Sequence, residues 1–292
     1  MNNKIKVDNA VIMAAGTSSR FAPLSYEKPK ALIDVKGEVL IERQIRQLLE
    51  AGVPEIYVIT GYKAEQFAYL QEKFGVRLIH NPEYLIRNNN SSIWAAEAVL
   101  NNSYICSADN YFAENPFEKE AEDAYYAAVY ASGHTEEWCM HEDEEGFIDS
   151  VVIGGEDAWI MLGHSFWDER FSRTFLNILQ EEYGRPETAG KLWESIYMEH
   201  LDVLKLRIRR YDADRIFEFD TLDDLREFDP SYQADSRSRI LKSVASVLGT
   251  KEAALVNIQT VKDHTTEAIG FTFDCGGQRY QYDYQQESLK KL

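Results

Sequence analysis

Residues 12–32, Ile-Met-Ala-Ala-Gly-Thr-Ser-Ser-Arg-Phe-Ala-Pro-Leu-Ser-Tyr-Glu-Lys-Pro-Lys-Ala-Leu, hold the side chains best suited to chemistry. An apolar strand runs into a small-residue turn, Ala14-Ala15-Gly16-Thr17-Ser18, and then toward a helix start. Such a turn aims backbone N–H groups at one point, which suits a phosphate. Arg20 forks two donors onto phosphate oxygens. Lys30, held behind Pro29, neutralises charge on an α-phosphate under attack, and Lys28 adds to the basic cluster. Turn, Arg and Lys-Pro-Lys together describe a triphosphate grip. The chain therefore reads as a nucleotide-using enzyme.

The elements that must position these groups are legible from periodicity. Ala10–Ala14, Ile56–Thr60, Val76–His80 and Tyr104–Ala108 read as short buried strands. Between them lie helices: Leu40 to Leu49, closed by Ala51-Gly52, then Ala64–Phe74 and Ser92–Leu100. This alternation predicts an α/β fold, a doubly wound and mostly parallel sheet with ligands at the carboxyl ends of its strands. Gly16 and the Ala108-Asp109-Asn110 segment fall at such ends.

From Ala124 the pattern becomes antiparallel. Strands are expected at Tyr125–Tyr130, Trp138–His141, Phe147–Ile153 and Trp159–His164, with a turn at Asp143-Glu144-Glu145-Gly146. Helices follow at Asp168–Tyr183 and Pro186–His200, strands at Leu204–Tyr211 and Arg215–Phe219, and a helix at Thr221–Glu227 with Thr221 as N-cap. A polar joint near residue 230 divides a 1–230 domain from a small α+β appendage, 231–292. The appendage reads as a helix Arg239–Leu248 closed by Gly249, then strands Leu255–Val261, Ala268–Cys275 and Arg279–Tyr284, with a Thr-Thr turn and a Gly276-Gly277 hairpin.

A net charge of −18 over 292 residues argues against general nucleic-acid or anionic-membrane binding. No apolar run is long enough to span a bilayer, and the start of the chain lacks a signal-peptide core. Three cysteines without close spacing read as reduced thiols, so a cytoplasmic location is expected.

The turn and Pro-Lys motif, residues 14–20 and 29–32, resemble the sugar-phosphate nucleotidyltransferase superfamily over roughly residues 10–229, with Ser18 where a second Gly is usual. A serine fits there if its φ stays negative, which predicts a slightly altered loop. The resemblance implies attack of an acceptor phosphate on the α-phosphorus of a nucleoside triphosphate, with pyrophosphate leaving and no covalent intermediate. Ala14 to Ser18 would hold the nucleotide, and Arg20 and Lys30 would act on its phosphates. It also implies Mg²⁺ between Asp109, at a strand end, and Asp220, closing Phe217-Glu218-Phe219-Asp220, with Glu218 a competing ligand. Mg²⁺ takes one or two carboxylates plus phosphate oxygens, which suits that pair.

Ser-Ala-Asp-Asn-Tyr (107–111), Asn-Ser-Tyr (102–104), Glu-Trp (137–138), Ser-Phe-Trp-Asp (165–168) and Phe-Glu-Phe-Asp (217–220) resemble bacterial CTP:phosphocholine cytidylyltransferases more closely. By that resemblance the Asn88–Ser92 run reads the base through Ser91 and Ser92. Trp138 and Trp193, with Glu194 beside it, occupy positions like a choline cage, since a quaternary ammonium needs aromatic faces and a carboxylate. The expected product is CDP-choline. A primary-amine acceptor, 2-aminoethylphosphonate, is the alternative, and a hexose-1-phosphate a more distant one. A homodimer is among the assemblies open to such an enzyme. Residues 239–292 also resemble, weakly, the opening of a choline-kinase-type N-lobe, without a phosphotransfer loop, which implies a non-catalytic module.

Overall fold

The computed structural model describes residues 4–264 and 268–292. The chain forms two compact units, one running to Gly16 and resuming over Leu40–Glu218, the other combining Thr17–Val39 with Phe219–Leu292. This division differs from the boundary expected near 230. The segment carrying Arg20 and Lys30 groups with the C-terminal part of the chain.

The first unit is built on a seven-stranded mixed sheet. Its strands are β1 (Asn9–Ala14), β2 (Ile56–Thr60), β3 (Arg77–His80), β4 (Ser103–Ser107), β5 (Tyr125–Glu142), β6 (Ile148–Trp167) and β7 (Arg207–Tyr211). They lie in the order β7-β5-β6-β4-β1-β2-β3. β4, β1, β2 and β3 are mutually parallel, while β6 runs antiparallel to β4 and β5. Ala10, Val11 and Ile12 are wholly buried, as a strand covered on both faces requires. The helices are α1 (Leu40–Glu50), α2 (Tyr69–Phe74), α3 (Asn90–Ala95), α4 (Glu169–Glu182) and α5 (Trp193–Glu199). Leu40, Ile41, Ile45 and Leu48 form the buried stripe of α1.

Two local readings need correction. The four antiparallel segments expected between 125 and 164 are two long strands, β5 and β6. Gly133 and Gly154 take positive φ of 76° and 79°, and register shifts beside Ala131 and Thr135 carry the pairing through. Pro186–His200 is not one helix but a single turn, Pro186–Ala189, followed by α5. The side-chain amide of Asn90 donates to the carbonyls of Thr188 and Lys191, groups that a continuous helix would have used itself.

Gly61, directly after β2, is held by a close approach that motif reading passes over. A Cβ there would lie 2.6 Å from Cγ of Tyr84 and 2.8 Å from the backbone oxygen of Ala15. That same oxygen accepts from Tyr62 N at 3.0 Å, so this contact fixes the end of β1. Gly61→Ala should cost about 1–3 kcal/mol of unfolding free energy, the usual range for overpacking. The measurement is the urea midpoint at constant m-value, and an unchanged midpoint would refute the close approach.

The second unit contains α6 (Leu222–Phe228), α7 (Arg239–Leu248) and a four-stranded antiparallel sheet. The strands are β8 (Val256–Lys262), β9 (Ala268–Cys275), β10 (Gln278–Asp283) and β11 (Ser288–Lys291), paired in that order. Thr221 caps α6 as expected, in a reciprocal capping box with Asp224. Gly276 and Gly277 form the β9–β10 turn at φ of 58° and 75°. β11 is a fourth strand that Ser-Leu-Lys-Lys gave no periodic hint of. The expected Thr-Thr turn, Thr265-Thr266, lies outside the described residues. Among the described residues no helix is long and apolar enough to cross a membrane.

Candidate active site

In the first unit, Ala14 and Ala15 close β1 and are buried, whereas Gly16 is exposed. Gly16 has no positive φ, and a Cβ added to it would meet nothing within 4 Å. Protein packing therefore does not demand a glycine there, although a closely approaching ligand would. Asp109 follows β4 in a turn and is half-buried. Next to it, Asn110 Nδ2 donates to Glu218 at 3.4 Å, while Gln44 donates to the carbonyls of Ser107 and Asn110. The Asp109 turn is thus clamped from α1 and faces a second carboxylate, Glu218.

Glu194 opens α5 and is buried, at 8% exposure. Asn89 Nδ2 donates to it at 3.1 Å, and the Tyr126 hydroxyl at 3.4 Å. Among the described residues its hydrogen-bond donors are neutral and no ion pair compensates it. Burial accordingly raises its pKa from 4.5 to about 7, against the lowering effect of the Asn89 and Tyr126 hydrogen bonds. Tyr126 in turn is pushed well above its ordinary value, by burial first and then by the nearby charges of Glu194 and Glu218. One tyrosine hydroxyl therefore senses both carboxylates. Tyr126 also stacks on Trp193, ring centres 5.7 Å apart.

The structure relocates several expected site residues. Trp193 is 1% exposed and packs edge-on against Trp167 and Phe175 in the core, so its faces are closed. It stands next to Glu194 on α5 and stacks on Tyr126. Trp138 lies on the outer part of β5 opposite Ile153 and is half-buried. Ser91 and Ser92 are buried in α3, and both hydroxyls accept from Asn81, at 2.8 and 3.3 Å. The Ser91 hydroxyl also donates to Asn88 O. The Ser91 hydroxyl is thereby engaged as both donor and acceptor, whereas that of Ser92 is engaged only as an acceptor. The asparagines beside them turn toward the 188–194 segment instead: Asn88 donates to Gly190 O, and Asn89 Oδ1 accepts from Trp193 N at 2.7 Å. His164 is buried among Tyr104, Phe112, Phe117 and Tyr125, and burial lowers its pKa to about 3. It is a neutral core histidine bonded to the Tyr125 hydroxyl.

In the second unit, Thr17 and Ser18 lead into a 3-10 turn, Ser19–Phe21. Ser18 takes φ 47° and ψ 44°, the left-handed conformation. The expectation of a negative φ is wrong: the serine adopts the backbone that glycine would supply, at a strain of order 1–2 kcal/mol. Strain of this size persists only where its surroundings enforce it. Arg20 Nη1 pairs with Asp220 Oδ2 at 2.7 Å, so the structure brings these two expected site residues together. Lys30 is 5% exposed, in the 3-10 turn Lys30–Leu32, with Nζ 5.5 Å from the centre of the Phe21 ring.

Asp109 and Glu218, both in the first unit, offer only carboxylate oxygens, which fits a hard divalent cation and not a thiophilic one. A parallel sheet with a small-residue turn after its first strand, an acidic turn after β4 and a basic 17–39 segment define a nucleotidyltransferase. Residues 10–138 match the family described as MobA-like NTP transferase domain. The chain is 32% identical over 220 residues to the choline-phosphate cytidylyltransferase of Streptococcus pneumoniae, covering 75% of this chain and 96% of that protein. It is 37% identical over 228 residues to the 2-aminoethylphosphonate cytidylyltransferase of Lancefieldella rimae, covering 77% and 93%. The solved structure of the CTP:phosphocholine cytidylyltransferase from Streptococcus pneumoniae superposes with a TM-score of 0.74 at 32% identity, covering 78% of this chain and 99% of that one. The chain belongs to the CTP-dependent cytidylyltransferases of the nucleotidyltransferase superfamily. Enzymes of this superfamily generally use a divalent metal ion.

Proposed function

We propose that the chain transfers CMP from CTP to the phosphate of a small cationic alcohol, with phosphocholine as acceptor, making CDP-choline. The observation that carries this reading is Glu194, a buried carboxylate supported by neutral donors on a Tyr126–Trp193 stack. A buried charge without a counter-charge is costly, and a cationic head group supplies one. An acceptor phosphate oxygen attacks the α-phosphorus of CTP. The new P–O bond forms as the bond to the β-phosphate bridging oxygen breaks, and pyrophosphate leaves with that electron pair. Lys30 and Arg20 bind the phosphates and offset their charge, so catalysis consists of positioning and electrostatics. Mg²⁺ is the metal we assign, with Asp109 and Asp220 as its ligands and Glu218 as a further carboxylate; when bound it would neutralise phosphate charge. Because CTP is the co-substrate, the reading includes a cytoplasmic enzyme.

One observation favours a second acceptor. The closed faces of Trp193 leave Glu194 as the main recognition group on α5, and a carboxylate is a better partner for the N–H donors of a primary ammonium. 2-Aminoethylphosphonate carries such a head. The deciding experiment measures pyrophosphate release for four nucleoside triphosphates against phosphocholine, phosphoethanolamine, 2-aminoethylphosphonate and glucose-1-phosphate. CTP with a phospho-amine or aminophosphonate should exceed every other combination. Turnover confined to UTP or dTTP with glucose-1-phosphate would overturn the proposal.

A further inference from the structure

We propose that the 229–292 region is a positioning element for the nucleotide-gripping segment 17–39, acting chiefly through Glu27. The inference rests on the reading of 17–39 as the triphosphate grip. Its ground is a run of contacts, all inside the second unit, that hold this segment along its length. Glu27 is largely buried, at 14% side-chain exposure, and its carboxylate sits on the N-terminus of α7. Oε1 accepts from the Ser238 hydroxyl at 2.7 Å and Ile240 N at 2.9 Å, and Oε2 accepts from Arg239 N at 3.0 Å. The Ser238 hydroxyl oxygen accepts from Leu241 N at 3.0 Å. The first three N–H groups of α7 are thereby all satisfied, two of them by a residue more than two hundred positions away in sequence.

Further anchors lie on both sides. Tyr26 stacks on Tyr284, ring centres 3.7 Å apart and planes 8° from parallel. The Thr260 hydroxyl donates to the Ser19 carbonyl, directly before Arg20. Beyond Lys30, Arg237 donates to Asp34 O at 2.8 Å and the Tyr232 hydroxyl donates to the same oxygen. Lys36 N donates to Asp229 at 2.8 Å. Lys28 and Lys30 are thus strung between Glu27 and Asp34, two residues whose positions the C-terminal region sets. The strained Ser18 lies one residue before the Ser19 carbonyl that Thr260 grips. A conformation that costs energy needs such enforcement. The two cytidylyltransferases described above match over about three quarters of this chain while covering nearly all of their own length. About a quarter of this chain thus lies outside the match.

Steady-state kinetics of full-length Glu27→Ala, Glu27→Gln and Thr260→Val test the idea. Glu27→Ala should raise the KM for CTP at least tenfold while the acceptor KM stays within twofold. Glu27→Gln, which keeps an acceptor for the α7 N–H groups, should recover most of that loss. Thr260→Val preserves volume and removes the hydrogen bond to Ser19 O, and should raise the CTP KM three- to tenfold in a folded enzyme. A merely structural role would instead lower the unfolding midpoint and the active fraction, with both KM values unchanged. Unchanged CTP KM in Thr260→Val and in Glu27→Ala, alongside normal wild-type turnover, overturns the positioning role. A wild-type enzyme inert toward CTP and every phospho-amine would instead fail the reading on which it rests.

Discussion

Glu194→Gln should raise the acceptor KM roughly ten- to a hundredfold while the CTP KM stays within twofold. The carboxylate is buried, so its attraction for a cationic head is little screened, and an interaction with a charged partner is worth about 1.5–3 kcal/mol. At about 1.4 kcal/mol per tenfold, that is the stated range. Glutamine keeps the shape and one acceptor for Asn89, which isolates the charge. The pH dependence gives an independent readout. With a pKa of about 7, Glu194 is half-ionised near neutrality, so wild-type kcat/KM for the acceptor should rise through pH 7 and level off above it. The acceptor phosphate titrates near pH 6, so the diagnostic is a limb near 7 that is present in the wild type and missing in Glu194→Gln. Stability should move the opposite way. The folded pKa exceeds 4.5, so the stabilisation is complete below about 4.5 and is lost as pH rises through 7, roughly 3 kcal/mol in all. Glu194→Gln should therefore melt higher than wild type at pH 8 and nearly equal to it at pH 4.5. Equal acceptor KM values, or a limb near pH 7 that survives the substitution, would remove Glu194 from the acceptor site.

The parts of this molecule that sequence makes legible are those whose cause is local. β1 and β2, α1 ending at Gly52, the Thr221 cap and the Gly276-Gly277 turn follow from burial period, cap chemistry and positive φ, and they stand within a residue of expectation. What was not legible depends on partners distant in the chain. Asn89 reads as a loop residue until Trp193 N and Glu194 arrive from about a hundred positions on. Glu27 carries no local signal of its contact with α7, whose N–H groups it accepts from more than two hundred positions away. Trp193 has the composition of a ligand cage and the location of a core residue, because Trp167, Phe175 and Tyr126 close around it. Ser18 shows the limit of a local rule: steric preference argues for negative φ, yet its flanks hold it at 47°. Gly61 carried a signal of its own, a glycine at the end of a buried strand beside a motif. A close-approach reading of that glycine would have found it.

Lys30→Met should lower kcat by roughly a hundred- to a thousandfold, with kcat/KM falling in parallel. Removing one preorganised donor aimed at developing charge in a water-excluded site costs on the order of 2.7–4 kcal/mol, which corresponds to that factor. Lys30 meets the requirement of preorganisation: it is 5% exposed, its backbone is fixed in a 3-10 turn, and its ammonium lies over the Phe21 ring. A buried, oriented ammonium costs no rearrangement as the α-phosphorus is attacked, whereas a surface lysine would be screened and mobile. Methionine retains the apolar stem against Phe21, so the fold should survive. Lys30→Arg restores the charge in a wider planar group that this enclosed position does not accommodate, and should recover less than a tenth of wild-type kcat. Arg20 offers the contrast. Its side chain is 75% exposed and paired with Asp220, so on the proposed reading its loss should appear mainly in the CTP KM. A Lys30→Met enzyme within tenfold of wild-type kcat would show that charge at the α-phosphate is carried by another group. The catalytic assignment would then pass from the buried lysine to the exposed arginine.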